Sequence, residues 1–469
     1  MLAHEYLLAG REYYYRAFME RRSFLTAGLA AAGALVPLSA CARLASTFGG
    51  PRLTAHKGYG PLAPVRDETT GLPLLWLPPG FRYLTVGWAG TVQADGTPTP
   101  VAHDGMAAFP IGPGRTRLIR NHEVRLSVVP AAAKSGPVYD PATGGGTTTL
   151  DFDTASGKLL ASHGSLTGTS VNCAGGPTPW GSWLTCEETM DQSGRTRATR
   201  PHGYIFEVPI AGVAEPEPLR AMGRFVHEAV AVDPETGIVY ETEDQLTAGF
   251  YRFVPKERGL LAKGGRLEML AIEDRPKHDM RTGQTVGKAL DVEWVAIDAP
   301  DDPLNPNALA VFNQGLAKGG AVFGRLEGAW YGDGRIFVVS TNGGDVKMGQ
   351  VFAYDPDEEE LTLIFESPAP AVARNLDNIT VSPRGGLVVC EDGGPQPQRM
   401  HGLTREGRIF PIAQNNIVLD GSTNGFKGDF RTREFAGATF SPDGAWLFVN
   451  AQSPGITFAI TGDWSDGPL

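Results

Sequence analysis

Six times along the chain, a short apolar run ends in polar or acidic residues. The runs are Leu118-Ile119-Arg120-Asn121-His122-Glu123, Trp183-Leu184-Thr185-Cys186-Glu187-Glu188 and Val239-Tyr240-Glu241-Thr242-Glu243-Asp244, followed by Phe337-Val338-Val339-Ser340-Thr341-Asn342, Leu387-Val388-Val389-Cys390-Glu391-Asp392 and Leu447-Phe448-Val449-Asn450-Ala451-Gln452. They start at 118, 183, 239, 337, 387 and 447, so they are 65, 56, 98, 50 and 60 residues apart. An earlier arm recurs as well: Cys173, Glu228, Glu327 and Asp377 each lie ten or eleven residues ahead of the run that follows. Apolar and β-branched runs of this length, bounded by turn residues, read as strands. Turn signals stand between them at Asp140-Pro141, Asp153–Gly157, Asp233–Gly237, Asp355-Pro356-Asp357, Ser382–Gly385 and Ser441–Gly444. Asp or Ser before Pro sets type I turns.

A repeat of about four strands with turns between them predicts an all-β chain, a six-bladed β-propeller with one blade per repeat. The six runs are expected to line the channel. The wide spacing between the third and fourth runs predicts an insertion between those channel strands, over roughly 254–320, with its charged Arg266–Arg275 region available to cover the mouth. Residues 42–75 read as an irregular tether, and 76–469 as one domain. A propeller of this kind brings equivalent positions together at one end of the channel. The acidic residues then converge, and a ring of unpaired carboxylates is costly without compensation. Bound cations are the natural compensation.

Composition agrees with this picture. Gly (60) and Pro (36) make up about a fifth of the 469 residues, which suits a turn-dense all-β fold. A net charge of −11 makes nucleic acid and anionic membrane poor partners. The amino terminus is a targeting segment over 1–41. Arg21-Arg22-Ser23-Phe24-Leu25 resembles a twin-arginine export motif, and an apolar run to Leu38 follows. Leu38-Ser39-Ala40-Cys41 resembles a lipobox, with Cys41 as the lipidated residue; cleavage after Ala40 by an ordinary signal peptidase is the alternative. Met19 is an alternative start. The expected product is exported to the periplasm or another extracytoplasmic space, is a monomer, and touches membrane only through that lipid. With Cys41 set aside, three cysteines remain, an odd number for a disulfide framework. Cys186 and Cys390 hold equivalent positions and read as buried thiols, while Cys173, in a Gly-rich turn, reads as a thiolate ligand.

Hard cations want several oxygen ligands, which Glu187, Glu188, Glu228, Glu243, Asp244, Glu327, Asp377, Glu391 and Asp392 can supply. One thiolate among carboxylates suits a transition metal instead. His122 and His227 read either as core histidines or as ligands, and Glu123 is a further candidate. Period-two alternation puts Arg325 and Glu327 on one face, where the arginine either clamps an oxyanion or forms a plain ion pair. Asn121, Asn172 and Asn378 either donate to an oxyanion or cap turns.

At these residues the sequence resembles the PhoX-type alkaline phosphatases. The resemblance rests on Arg120-Asn121-His122-Glu123, Asn172–Gly176, Trp183–Glu188, His202-Gly203-Tyr204, Gly223–Ala229, Glu243-Asp244, Gly324–Gly328, Asp377-Asn378, Cys390–Gly393, Phe440–Gly444 and Gln452–Gly455, in that order, over roughly 75–469. It implies a six-bladed propeller, twin-arginine export and hydrolysis of phosphomonoesters. It also implies a centre of two ferric irons and three calcium ions around an oxo bridge. By motif, Cys173 matches an iron-binding cysteine, Glu228 and Glu327 match metal-ligating glutamates, and Arg325 matches a phosphate-binding arginine. The expected function is an exported, metal-dependent release of inorganic phosphate from small phosphate esters, with Arg325, Asn121 and Asn378 at the reacting group. Two rivals stand beside it: a calcium-dependent lactonase or diesterase on the same architecture, and a non-catalytic propeller lipoprotein.

Overall fold

A computed structural model of the chain describes residues 58–125, 136–192 and 195–469. The twin-arginine pair and Cys41 lie outside the described residues. The structure is all-β and propeller-like, with one α-helix, Ala310–Ala317, among the described residues. Four blade-sized sheets stand separately, beside a two-stranded hairpin of Val418–Asp420 and Lys427–Asp429. One holds four strands between His103 and Thr169, and the next holds three between Asn172 and Pro209. A third holds Leu376–Val381, Leu387–Glu391, Arg399–Leu403 and Ile409–Asn415, extended at its edge by Leu75–Leu77 and Ala63–Val65. A fourth holds Phe435–Phe440, Trp446–Ala451 and Ile456–Thr461 with Arg82–Trp88. The remaining large sheet has nine strands, because Ala289–Ala296 pairs with Gly265–Ile272 on one side and Glu360–Glu366 on the other.

The first strand of each repeat lies innermost. His103–Gly112, Asn172–Pro177, His227–Val232, Leu326–Gly332, Leu376–Val381 and Phe435–Phe440 neighbour one another in a closed ring. The six apolar runs were expected in that place. They are instead the second strands, each one position outward. Their continuous apolarity has a physical reason: both faces are covered. Val388 and Cys390 pack with Leu447 and Val449 on one side. Leu387 and Val389 pack with Val339 and Val351 on the other. Residues covered on both faces need no alternation.

Arg82–Trp88 closes the ring, pairing antiparallel with Ile456–Thr461 in a register that sets Tyr83 opposite Ile460. Within the stretch expected as a tether, the chain adds two short strands, Ala63–Val65 and Leu75–Leu77, to a sheet edge; residues 42–57 lie outside the described residues. The insertion also differs from expectation. Gly265–Ile272 is a regular strand, and Glu268 in it pairs with Arg252. The charged region is therefore part of a sheet, and the added chain begins after Ile272. That added chain does reach the loop 341–349: Gly344 N donates to Arg281 O (2.8 Å), and Gly283 N donates to Asp345 Oδ1 (2.9 Å).

Candidate active site

Every inner strand carries a β-bulge near its start, where two of its residues oppose one on the second strand. The bulged pairs are Asp104-Gly105, Cys173-Ala174, Glu228-Ala229, Glu327-Gly328, Asp377-Asn378 and Gly437-Ala438. A bulge re-aims a side chain out of the regular pleat. In five of the six, the first bulged residue is an acid or a thiol. A second repeated contact fixes the end of the second strand. The backbone N–H of Glu123, Glu188, Asp244, Thr341, Asp392 and Gln452 donates to the carbonyl of Ala102, Val171, Val226, Arg325, Asn375 and Glu434, respectively. Four of those carbonyl-bearing residues, Ala102, Val171, Arg325 and Asn375, have φ between 44° and 52°. Positive φ in non-glycine residues is strained and gathers at functional sites.

The result is one connected cluster. Cys173, Glu188 and Glu228 bring one ligand atom each within 4.8 Å of one another. The same holds for Glu228, Glu327 and Asp377, for Asp377, Asp392 and Glu434, and for Asp104, Glu123 and Glu434. Cys173 Sγ lies 3.7 Å from Asp104 Oδ1, which joins the last group to the first. Burial, reinforced by neighbouring carboxylates, pushes Asp104, Glu228 and Glu434 well above the usual carboxyl range. Glu188 is pushed up to about 8, by burial first, with Arg125 pulling it back. Burial and then Asp104 push the Cys173 thiol up. These residues fit cations. Glu228 Oε2 is buried without a hydrogen-bond partner among the described residues, and one sulfur among many carboxylate oxygens suits both a thiophilic and a hard metal.

Arg325 stands at the edge of this cluster. Its Nε and Nη2 donate to Asp244 Oδ1 and Oδ2 at 2.9 and 3.0 Å, and Nη2 also meets Glu327. It shares Glu327's surroundings as expected. However, it precedes the strand at φ 45°, so the left-handed backbone rather than strand alternation turns it there. Glu327 first, then Asp244, hold the guanidinium firmly protonated against burial.

Several expected site residues face elsewhere. At the ends of the first, second and fifth runs the last acid, Glu123, Glu188 or Asp392, enters the cluster, and Asp244 of the third meets Arg325; the residue before each turns between sheets. Glu187 accepts from Ser170 N, Gly203 N and Tyr204 N and pairs with His202. Glu243 accepts from Gly249 N and Tyr251 Oη. Glu391 is held by Arg399, Arg374 and His401. His122 bonds Val101 O and Thr148 Oγ1. The two asparagines expected at the reacting group lock the bulges instead. Asn121 donates to Cys173 O and Ala174 O while accepting from Trp183 Nε1, and Asn378 Oδ1 accepts from Ala438 N. Asn172 lies inside the sheet between Thr169 and Thr185, and His227 packs on Phe225. Cys186 and Cys390 oppose bulges and are fully buried, as read. Two acids escaped the sequence reading. Asp104 lies fourteen residues ahead of Leu118, because its hairpin is longer than the others. Glu434 precedes its strand, in the repeat whose bulge begins with Gly437.

The structure can be compared with known proteins. PhoX from Pseudomonas fluorescens in complex with vanadate, a transition-state analogue, is 17% identical over 89% of this chain and 99% of its own, with a TM-score of 0.64. A putative gluconolactonase is 12% identical over 86% of this chain and 98% of its own, with a TM-score of 0.38. No curated protein matches the chain. The sequence matches the family described as alkaline phosphatase PhoX over residues 57–165 and 154–455. That match spans most of the chain and includes every member of the cluster, so this chain belongs to the alkaline phosphatase PhoX family.

Proposed function

We propose that this protein is an exported, metal-dependent phosphomonoesterase built on a six-bladed propeller. The nine-stranded sheet counts as two blades joined by Ala289–Ala296, which makes six with the four separate sheets. The observation that carries the function is Arg325, partly exposed and joined both to Glu327 of a cluster that fits several cations and to Asp244 beside it. Cys173, Glu188 and Glu228 would hold the thiophilic metal, read as iron. Glu327, Asp377, Asp392, Glu434, Asp104 and Glu123 would hold the hard cations, read as calcium. When bound, such cations offset the carboxylate charge and polarise a phosphoryl group.

The chain's own residues supply the rest. The six bulges fix the acids before substrate arrives, so little reorganisation is left for the reaction. Arg325 presents a planar fork that matches two phosphoryl oxygens and stays charged at alkaline pH. Asp244 orients that fork. Asn121 and Asn378 contribute by holding the bulges rigid. The test is metal analysis of the exported protein beside turnover of an aryl phosphate monoester at alkaline pH. Fully metal-loaded protein that leaves the ester intact would overturn the reading. A lactonase would act on an ester without phosphate and would need no sulfur ligand. Export and anchoring rest on Arg21-Arg22 and Cys41. Cys41→Ala should move the protein from the membrane to the soluble fraction, and a wild type that is already soluble would rule out the anchor.

A further inference from the structure

The third repeat buries a second set of ligand atoms, away from the channel cluster. Val239, Glu241 and Glu243 alternate along the strand Val239–Glu243 and so share one face. On that face Val239 packs with Leu184 and Cys186 of the preceding sheet, so Glu241 points into the same apolar interface. Burial and then Glu241 push the Cys186 thiol up, which agrees with that placement. Glu241 is fully buried, and neither Oε1 nor Oε2 has a hydrogen-bond partner among the described residues. Tyr251 lies directly opposite Glu241 in the sheet, but its hydroxyl donates to Glu243 Oε2 at 2.7 Å. His227 faces Glu241 from the inner strand. Its Nε2 donates to Gly223 O at 3.2 Å, while its Nδ1 is buried without a hydrogen-bond partner, 3.6 Å from Glu241 Oε2. Burial raises the proton affinity of Glu241 with no contribution from the channel acids, so the pair stands apart from them.

A bare carboxylate facing a bare imidazole nitrogen in an apolar interface is costly unless something joins them. A direct hydrogen bond does not, because 3.6 Å is too long, and it would still leave Oε1 unmet. A metal ion does. Two donors each about 2.1 Å from a tetrahedral ion stand roughly 3.4 Å apart, close to the separation of this pair. We propose that His227 Nδ1 and the two carboxylate oxygens of Glu241 bind a borderline divalent ion such as zinc, with water completing its shell. A ring nitrogen beside carboxylate oxygens suits that class, whereas calcium takes oxygen alone. The contact from Nε2 to Gly223 O holds the ring with Nδ1 towards the ion, as the second nitrogen of a metal-bound histidine commonly does. Both side chains are wholly enclosed, so the ion enters as the second and third sheets close during folding. His227 directly precedes the bulged pair Glu228-Ala229, so the ion steadies the bulge from behind.

The experiment uses the whole protein, purified after growth with added zinc. Crystals are measured above and below the zinc absorption edge, and zinc per chain is measured for wild type, His227→Gln and Glu241→Gln. A zinc peak should stand between His227 Nδ1 and Glu241, about 2.1 Å from each. Each variant should lose about one zinc per chain, with the channel cluster's metal content retained. No zinc peak at this pair, with the two side chains in direct contact or joined by water alone, overturns the site. Zinc content unchanged in both variants overturns it as well. If neither variant folds, the wild-type peak still decides. Turnover of an aryl phosphate is read on the same wild type, because the proposal does not rest on the phosphatase reading. A peak at this pair without turnover supports the site while the phosphatase reading fails, and turnover without the peak overturns the site alone.

Discussion

Cys173 and Arg325 belong to one cluster but meet different partners. The thiol lies among acids that fit a cation, and the guanidinium is turned across the edge of the same acids. Cys173→Ser replaces a soft donor by a weak hard one, so iron content and any thiolate-to-iron absorption should fall, and activity with them. Arg325→Ala should leave metal content near wild type. It should still cost about 3 kcal/mol of transition-state stabilisation, roughly a hundredfold in kcat, the size seen when a preorganised donor is lost. The structure also gives Arg325 two ion-pair partners, Asp244 and Glu327. If pairing were its whole role, removing it would leave buried acids uncompensated, and thermal stability and metal loading would drop together. Metal content measured beside kcat separates the two outcomes. Wild-type kcat in Arg325→Ala would rule out a role at the phosphoryl group.

At the scale of the element, the bulge decides what the site contains. Gly328 follows Glu327 in its bulge, and a Cβ there would lie 2.7 Å from Asp377 O and 2.8 Å from Ile379 N, backbone atoms of the next inner strand. Gly328→Ala forces two strands apart and should cost about 1–3 kcal/mol by overpacking, with metal loading reduced because Glu327 and Asp377 move with their strands. A melting temperature and metal content equal to wild type would show that the strands do not need this close approach. The between-sheet acids give a separate prediction. Burial raises Glu391, but hydrogen bonds from His401 and Arg399 outweigh it and hold it at about 2. A depressed carboxyl stabilises the fold fully above its ordinary range and loses that contribution as pH falls from about 4.5 towards 2. Glu391→Gln should lose on the order of 3 kcal/mol at pH 7, and the gap from wild type should close in acid. Urea unfolding at pH 7 and pH 3 measures it, and an equal gap at both would contradict the linkage. The same element explains what was legible beforehand. The repeat of apolar runs located the strands, and the earlier arm located Cys173, Glu228, Glu327 and Asp377. Spacing cannot show a bulge, so it could not tell Glu188 from Glu187 or Asp392 from Glu391. It also passed over Asp104, whose hairpin is longer, and it placed the wrong arm innermost because an acidic end looks like a mouth from either strand.

For the whole molecule, the cluster is also a joint. Its acids and thiol come from every repeat in the ring, and each group takes ligands from at least two of them. The other closure is covalently remote: Arg82–Trp88 completes the carboxyl-terminal sheet. There Tyr83, fully buried, accepts from Leu74 N and Leu75 N and reaches the carbonyls of Val65 and Leu72. One end of the ring is thus tied by apolar packing and a strand. The inner face gathers acids whose burial favours protonation and whose charges repel once ionised. Cations that bind only the folded ring stabilise it by mass action, about 2.7 kcal/mol for each site held at a hundred times its dissociation constant. Chelation at pH 8 should therefore lower the melting temperature of the whole molecule, not of one loop. Loss of metal and loss of β-structure should share one transition in wild type. The drop should be larger at pH 8 than at pH 6, because more of the acids must ionise at the higher pH when no cation is present. Calorimetry with and without chelator at the two pH values reads both differences. An unchanged melting temperature after complete metal removal would show that the buried acids are tolerated without cations and that the cluster is not the joint of the ring.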